Sequence, residues 1–209
     1  MDLAIFSGLT EYLEALITLN LYGGAFLAAL LETIFPPIPS EIIMPLAGYL
    51  ASLSDYGYLG LLIVTLSATL GATLGAILIY YVSLKLGRRV ILKWGKYVFI
   101  SEENLSASEK WFEKYGKKAV FFGRMAPVIR ELISIPAGLS KMDFWKFLFY
   151  TLLGTFIWTL FLVSIGFFFG LYLDSLNLSG IFGKTGVFII IIIVAYILVK
   201  ILIKKFKKT

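Results

Sequence analysis

Phe35-Pro36-Pro37-Ile38-Pro39-Ser40-Glu41 breaks an otherwise apolar chain with three prolines, and ninety residues later Ala126-Pro127-Val128-Ile129-Arg130-Glu131 breaks it again. The two stretches are in register. Pro37, Glu41, Ile43, Ala47 and Gly48 recur without a gap as Pro127, Glu131, Ile133, Ala137 and Gly138. Each proline removes a backbone N–H and biases the residue before it away from the α region, so a helix cannot run through either stretch. The chain must turn at both places. Around the first turn lie two apolar arms, together 21–53; around the second lie the arms of 119–139, broken again at Pro136. Arms this short describe two re-entrant hairpins that enter and leave a membrane on the same side. Their tip backbone is set by Pro37, Pro39 and Gly48 in one and by Pro127, Pro136 and Gly138 in the other. Helix breakers at matching positions of two hydrophobic halves point to a binding site near the bilayer midplane.

The rest of the chain supplies the membrane. Of 209 residues 59% are hydrophobic and 15% charged, against about a half and a quarter in soluble domains, which excludes an ordinary soluble fold. Tyr56–Leu84 and Phe147–Leu173 carry no charge over 29 and 27 residues. Each is roughly 40 Å long as a helix and exceeds the ~20 residues needed to span hydrocarbon. The expected spans are therefore 57–84 and 144–173, related by the same ninety-residue offset, and Ile-rich 185–203 is a third span outside the repeat. The fold class predicted is an all-α integral membrane protein formed as a single domain over 1–209. Repeat 1 covers about 1–90 and repeat 2 about 91–174, each a re-entrant hairpin plus a transmembrane helix. Amphipathic helices precede both hairpins, at Leu3–Leu19 and from Ser101-Glu102-Glu103 onward, where a capping serine and first-turn acids favour a helix start.

Charge orients this arrangement. All nineteen Lys and Arg residues lie from Lys85 onward, clustered after the first span and again at Lys204, Lys205, Lys207 and Lys208. The positive-inside rule places both clusters, and the C-terminus, in the cytoplasm of a multi-pass protein of the cell membrane. A half consisting of one hairpin and one span crosses once, so the second half starts on the opposite side and the repeat is inverted. If both hairpins crossed fully, the repeats would be parallel instead. The net charge of +6 sits beside apolar spans, where anionic headgroups and not nucleic acid are the partner.

Glu32, Glu41, Arg124 and Arg130 flank the two tips, acids on the first and arginines on the second. In lipid each would cost about 2.5–3.5 kcal/mol, so they must face one another, backbone dipoles or water. One reading makes them two structural ion pairs. The other makes Arg124 and Arg130 a fork for a phosphate, the geometry guanidinium suits best, with Glu32 and Glu41 as proton-coupling or gating groups able to take up and release protons. Glu131 adjoins Arg130 and reads as its partner. Gly71-x-x-x-Gly75 and Gly166-x-x-x-Gly170 permit close helix approach, and Trp145, Trp158, Tyr80 and Tyr81 read as interface belts or packing. The chain contains no His and no Cys, which excludes Ser-His-Asp triads, Cys-His pairs and imidazole metal sites; no metal, cofactor or catalytic residue is expected, and the chain is not expected to be an enzyme.

At these residues the chain resembles the DedA family of membrane proteins. The matching elements are Glu32 leading into Phe35-Pro36-Pro37-Ile38-Pro39-Ser40-Glu41, Pro45-Leu46-Ala47-Gly48, Tyr80-Tyr81 with Gly87-Arg88, and Phe122-x-Arg124-x-x-Pro127-x-x-Arg130 with Pro136-Ala137-Gly138-x-x-x-Met142. The resemblance covers about Leu21 to Gly170. It implies hairpins that meet at the centre and carry a lipid between leaflets, with Glu32 and Glu41 as the family's acidic pair and Arg124 and Arg130 as its basic pair. The Pro-Pro-Ile-Pro-Ser-Glu form is most similar to the undecaprenyl phosphate subgroup, whose cargo returns to the cytoplasmic leaflet; phosphatidylethanolamine or general phospholipid movement is the alternative. At Thr73 and Ser83, where many relatives carry Gly or an acid, no proton-relay role is carried over. A cargo-free scaffold, a lipid-phosphate enzyme and small-ion transport are the competing classes, and homo-oligomerisation is left open.

Overall fold

The computed structural model describes residues 20–35, 40–95, 102–126 and 129–175. Leu3–Leu19, the tip residues Pro37, Pro39 and Pro127, and the expected span 185–203 lie outside them. Every regular element among the described residues is helical, as expected of an all-α protein.

Helix α1 (Leu21–Ile34) starts at Asn20, whose side chain accepts the Gly23 N–H at 3.1 Å, and ends where Phe35 precedes Pro36. Helix α2 (Ser40–Ser52) follows, with Glu41 in its first turn and Pro45 inside. Pro45 has no N–H to offer the carbonyl of Glu41 one turn earlier, so that carbonyl lacks its helical partner at the hairpin tip. Helix α3 (Gly57–Gly95) runs 39 residues but breaks its helical geometry at Gly87, where φ is +74°, a conformation glycine adopts without a Cβ clash. The expected end at Leu84 is thus overrun, and the helix resumes beyond the glycine.

Helix α4 (Glu102–Tyr115) has acids in its first turn and Lys114 in its last, both favourable to the helix dipole. A single 3₁₀ turn, Gly116–Lys118, leads to three short helices: α5 (Ala119–Arg124), α6 (Ile129–Leu132) and α7 (Ser134–Leu139). Pro136 falls in the first turn of α7, where its missing N–H has no intrahelical acceptor to lose. Helix α8 (Phe144–Ser175) starts at Asp143, whose carboxylate accepts the Lys146 N–H at 3.1 Å.

Packing follows a crossed pattern. The first arm of each hairpin lies on the long helix of its own half, α1 on α3 and α5 on α8; the second arm lies on the long helix of the other half, α2 on α8 and α7 on α3. Glycines make these contacts close. A Cβ on Gly48 of α2 would strike the Val163 carbonyl of α8, one on Gly166 would strike the Pro45 carbonyl, and one on Gly138 of α7 would strike the Tyr80 carbonyl of α3. Gly71 and Gly75 lie against α1 at Phe26 and Thr33 in the same way.

Each long helix divides into two faces. Inward, α3 presents Val64, Ala68 and Ala76 with buried Thr65, Thr69 and Thr73; α8 presents Thr151, Thr155 and Thr159. Thr65 and Thr69 donate their hydroxyls to carbonyls one turn back, at 2.8 and 2.7 Å, which is how a hydroxyl is satisfied without water. Outward, Leu59, Leu62, Leu66, Leu70, Leu74 and Leu78 form an exposed stripe on α3, and Phe149, Leu153, Ile157, Phe161, Ile165 and Phe168 form another on α8. Gly57–Arg88 and Phe144–Leu173 are both long and apolar enough to cross a membrane.

Candidate functional site

Five charged side chains converge at one place between the two halves of the chain. Glu32 comes from the last turn of α1, Glu41 from the first turn of α2, Arg124 from the end of α5, and Arg130 and Glu131 from α6. Arg130 is the hub. Its Nη2 donates to Glu32 Oε1 and lies 3.7 Å from Glu41 Oε1, while its Nε forms an ion pair with Glu131 Oε1 at 2.9 Å. Its guanidinium also stands over the Trp158 ring, 5.6 Å from the centroid. One cation of the second hairpin therefore holds both acids of the first, and its exposure is only 11%.

Arg124 behaves differently. Its Nη1 donates to the Arg130 carbonyl at 2.7 Å and its Nη2 to Ser134 Oγ at 2.6 Å, so it closes the second tip upon itself. It forms no salt bridge among the described residues, and its Nε has no hydrogen-bond partner there. Three carboxylates against two guanidinium groups leave the cluster with a formal charge of −1, yet the acids crowd around Arg130 alone.

Between these groups lies a partly open cavity of about 30 Å³, room for roughly two water molecules. Glu32 and Ser40 line it from the first hairpin, Arg124, Arg130 and Glu131 from the second, and Ala72, Trp158 and Thr159 from the long helices. Ala72 is the sixteenth of the 32 residues in Gly57–Arg88, and Trp158 the fifteenth of the 30 in Phe144–Leu173. The cavity is therefore level with the middle of both apolar helices.

The four residues singled out in the sequence, Glu32, Glu41, Arg124 and Arg130, are brought to one place, and Glu131 pairs with Arg130 as its position suggests. Gly48, Gly138 and Pro136 serve helix contacts and the helix start rather than the cavity wall. Ser134 and Trp158 escaped the sequence reading as site residues. Trp158 carried a usable signal: it lies mid-span, where an interfacial belt residue has no headgroup to meet. Trp145, exposed at the start of α8, has the placement of a belt residue, and Tyr80 is packing, stacked on Phe147 and donating its hydroxyl to the Met142 carbonyl.

Two outward leucine and aromatic stripes around a buried charged site define an integral membrane protein that holds polar groups within the bilayer. The VTT domain model matches residues 38–168, and the chain belongs to this family, the DedA membrane proteins. Among curated relatives it is 40% identical over 150 residues to the alkaline phosphatase-like protein of Lactococcus lactis subsp. cremoris, covering 69% of this chain and 68% of the relative. It is 33% identical over 181 residues to undecaprenyl phosphate transporter A of Bacillus subtilis, covering 86% of this chain and 88% of the relative. The Staphylococcus aureus protein of the same name is 35% identical over 149 residues, covering 69% and 72%. No solved structure matches significantly.

Proposed function

We propose that this protein moves a phosphate-headed lipid between the leaflets of the cytoplasmic membrane, with undecaprenyl phosphate as its cargo, the lipid named for the Bacillus and Staphylococcus relatives. The observation that carries the reading is Arg124: a buried guanidinium with no salt bridge among the described residues, beside a polar cavity midway along two apolar helices. A guanidinium held there outside any direct salt bridge suits an anionic headgroup, and Arg130 is the second phosphate ligand once its acids let go.

The crossed packing of hairpin arms fits a two-fold relation between the halves, and the one-sided Lys/Arg distribution favours its inverted form, with both hairpins re-entrant. With two water volumes of space, the cavity takes a phosphate only when the tips part, and the contacts that hold them together are those of Glu32 and Glu41 with Arg130. A proton taken up by either acid neutralises the cluster, frees a guanidinium edge and loosens one hairpin from the other. Carboxylate and phosphate thus compete for the same Arg130 guanidinium, so proton uptake favours phosphate entry, which is the coupling. The basic clusters set the C-terminus in the cytoplasm.

The name of the Lactococcus relative raises hydrolysis of a lipid phosphate. The chain has no His or Cys, which excludes Ser-His-Asp triads, Cys-His pairs and phosphohistidine intermediates. Vesicles reconstituted with the full chain and labelled undecaprenyl phosphate test the reading. Translocation should occur, accelerate with a proton gradient, and be lost in Arg124→Gln and Arg130→Gln. Equal movement of phosphatidylethanolamine would favour a general phospholipid carrier, release of inorganic phosphate would favour an enzyme, and translocation untouched by both substitutions would sink the proposal.

A further inference from the structure

Arg124 Nε is not the only buried donor left over at the cavity. Trp158 lines the same space, and its indole Nε1 is buried without a hydrogen-bond partner among the described residues. An indole N–H can only donate. At the membrane interface it would find headgroup or water, but Trp158 is the fifteenth residue of a 30-residue apolar stretch, far from either end. A buried donor in that position calls for an acceptor, and none is found among the described residues.

The ring is held for this purpose. Arg130 stands over it at 5.6 Å from the centroid, and Arg130 is itself fixed by Glu32, Glu41 and Glu131. The indole edge is thus oriented before any ligand arrives, which lowers the cost of using it. Two donors without a partner among the described residues, Arg124 Nε on α5 and Trp158 Nε1 on α8, belong to residues that line one small cavity. A ligand that satisfies both must present acceptor lone pairs, as the oxygens of a phosphate do and an ammonium headgroup does not.

We propose that Trp158 is a substrate-binding residue whose indole N–H donates to an oxygen of the lipid phosphate, completing with Arg124 a donor pair that spans the second hairpin and the second long helix. This rests on the phosphate reading of the cavity and adds to it a ligand from outside the hairpins. It also gives α8 a direct part in selecting oxyanions over amines.

The test uses the full chain in mild detergent, with a short-chain isoprenyl phosphate monoester as probe and binding followed by calorimetry. Trp158→Phe keeps a ring beneath Arg130 and removes the N–H. Replacing Trp158 by its benzothienyl analogue, sulfur for N–H, keeps the size of the indole as well. Both should weaken probe binding about tenfold or more, as expected for a lost hydrogen bond to a charged acceptor, with melting temperature unchanged for the benzothienyl protein. Binding at wild-type strength in the benzothienyl protein, while Arg124→Gln loses it, would overturn the role of Trp158 and leave the phosphate site standing. Full binding in all variants, Arg124→Gln included, would overturn both. Inorganic phosphate is the second probe and should compete only weakly; equal affinity for it would overturn the lipid source of the phosphate.

Discussion

Replacing Arg130 by glutamine removes the one cation that three buried carboxylates share. Glu32, Glu41 and Glu131 are between 5% and 15% exposed at their side chains, so water cannot readily take over from the lost guanidinium. Deleting one partner of a buried ion pair costs about 3–5 kcal/mol, because the charge left behind is uncompensated. At about 2–4 °C per kcal/mol for a chain of this size, the melting temperature should fall by roughly 6–20 °C. Glu32→Gln is a much milder change: its amide oxygen still accepts from Arg130, and two acids remain to balance the guanidinium. In the double variant Arg130→Gln/Glu32→Gln one of the stranded carboxylates is gone, so the protein should be more stable than Arg130→Gln alone. The cycle should therefore give a coupling energy of about 1–3 kcal/mol. Thermal unfolding followed by tryptophan fluorescence in detergent measures all four proteins. A single Arg130→Gln protein that melts within 2 °C of the parent, or additive effects in the cycle, would refute the hub role of Arg130.

Gly166→Ala places a methyl group against the Pro45 carbonyl, with backbone on both sides of the contact, and should cost about 1–3 kcal/mol in the same unfolding assay while Gly57→Ala, whose Cβ meets nothing within 4 Å, acts only through its backbone. Tyr80→Phe retains the stack on Phe147 and loses the hydrogen bond to the Met142 carbonyl, for an expected loss of about 1 kcal/mol, measured as a fall of roughly 2–4 °C. Arg88 joins the far end of α3 to Glu102, Ser106 and Glu109 of α4. Arg88→Gln should speed amide hydrogen exchange across Glu102–Tyr115 with little change in melting temperature, and high salt should do the same to the unaltered protein.

Much of this architecture was legible because membrane burial enforces simple patterns. A charge-free run of 29 residues has few other uses, and prolines resist continuation of a helix, so the two long helices and the separation of Leu21–Ile34 from Ser40–Ser52 could be read directly. The convergence of Glu32, Glu41, Arg124 and Arg130 was legible for the same reason: isolated charges in apolar sequence have to find one another. Their pairing was not. Glu32 and Arg130 are 98 residues apart, and nothing local says that Arg130 collects three acids while Arg124 forms no salt bridge among the described residues. Nor did the pattern of apolar residues reveal that α3 continues beyond Gly87, since a glycine with positive φ can end a helix or merely bend the path between two. Trp158 was passed over because its residue type fits packing, belt and ligand roles alike; only its depth in the span and its unfilled N–H separate them.

A structure of the full chain with a lipid phosphate bound tests the central claim most directly. The phosphorus should lie between the hairpin tips, level with Ala72 and Trp158, with phosphate oxygens at hydrogen-bond distance from Arg124 and with Arg130 released from at least one of Glu32 and Glu41. A phosphate held instead by the surface lysines of α4 or the chain end, with the Arg130 cluster intact and the cavity closed, would contradict the account.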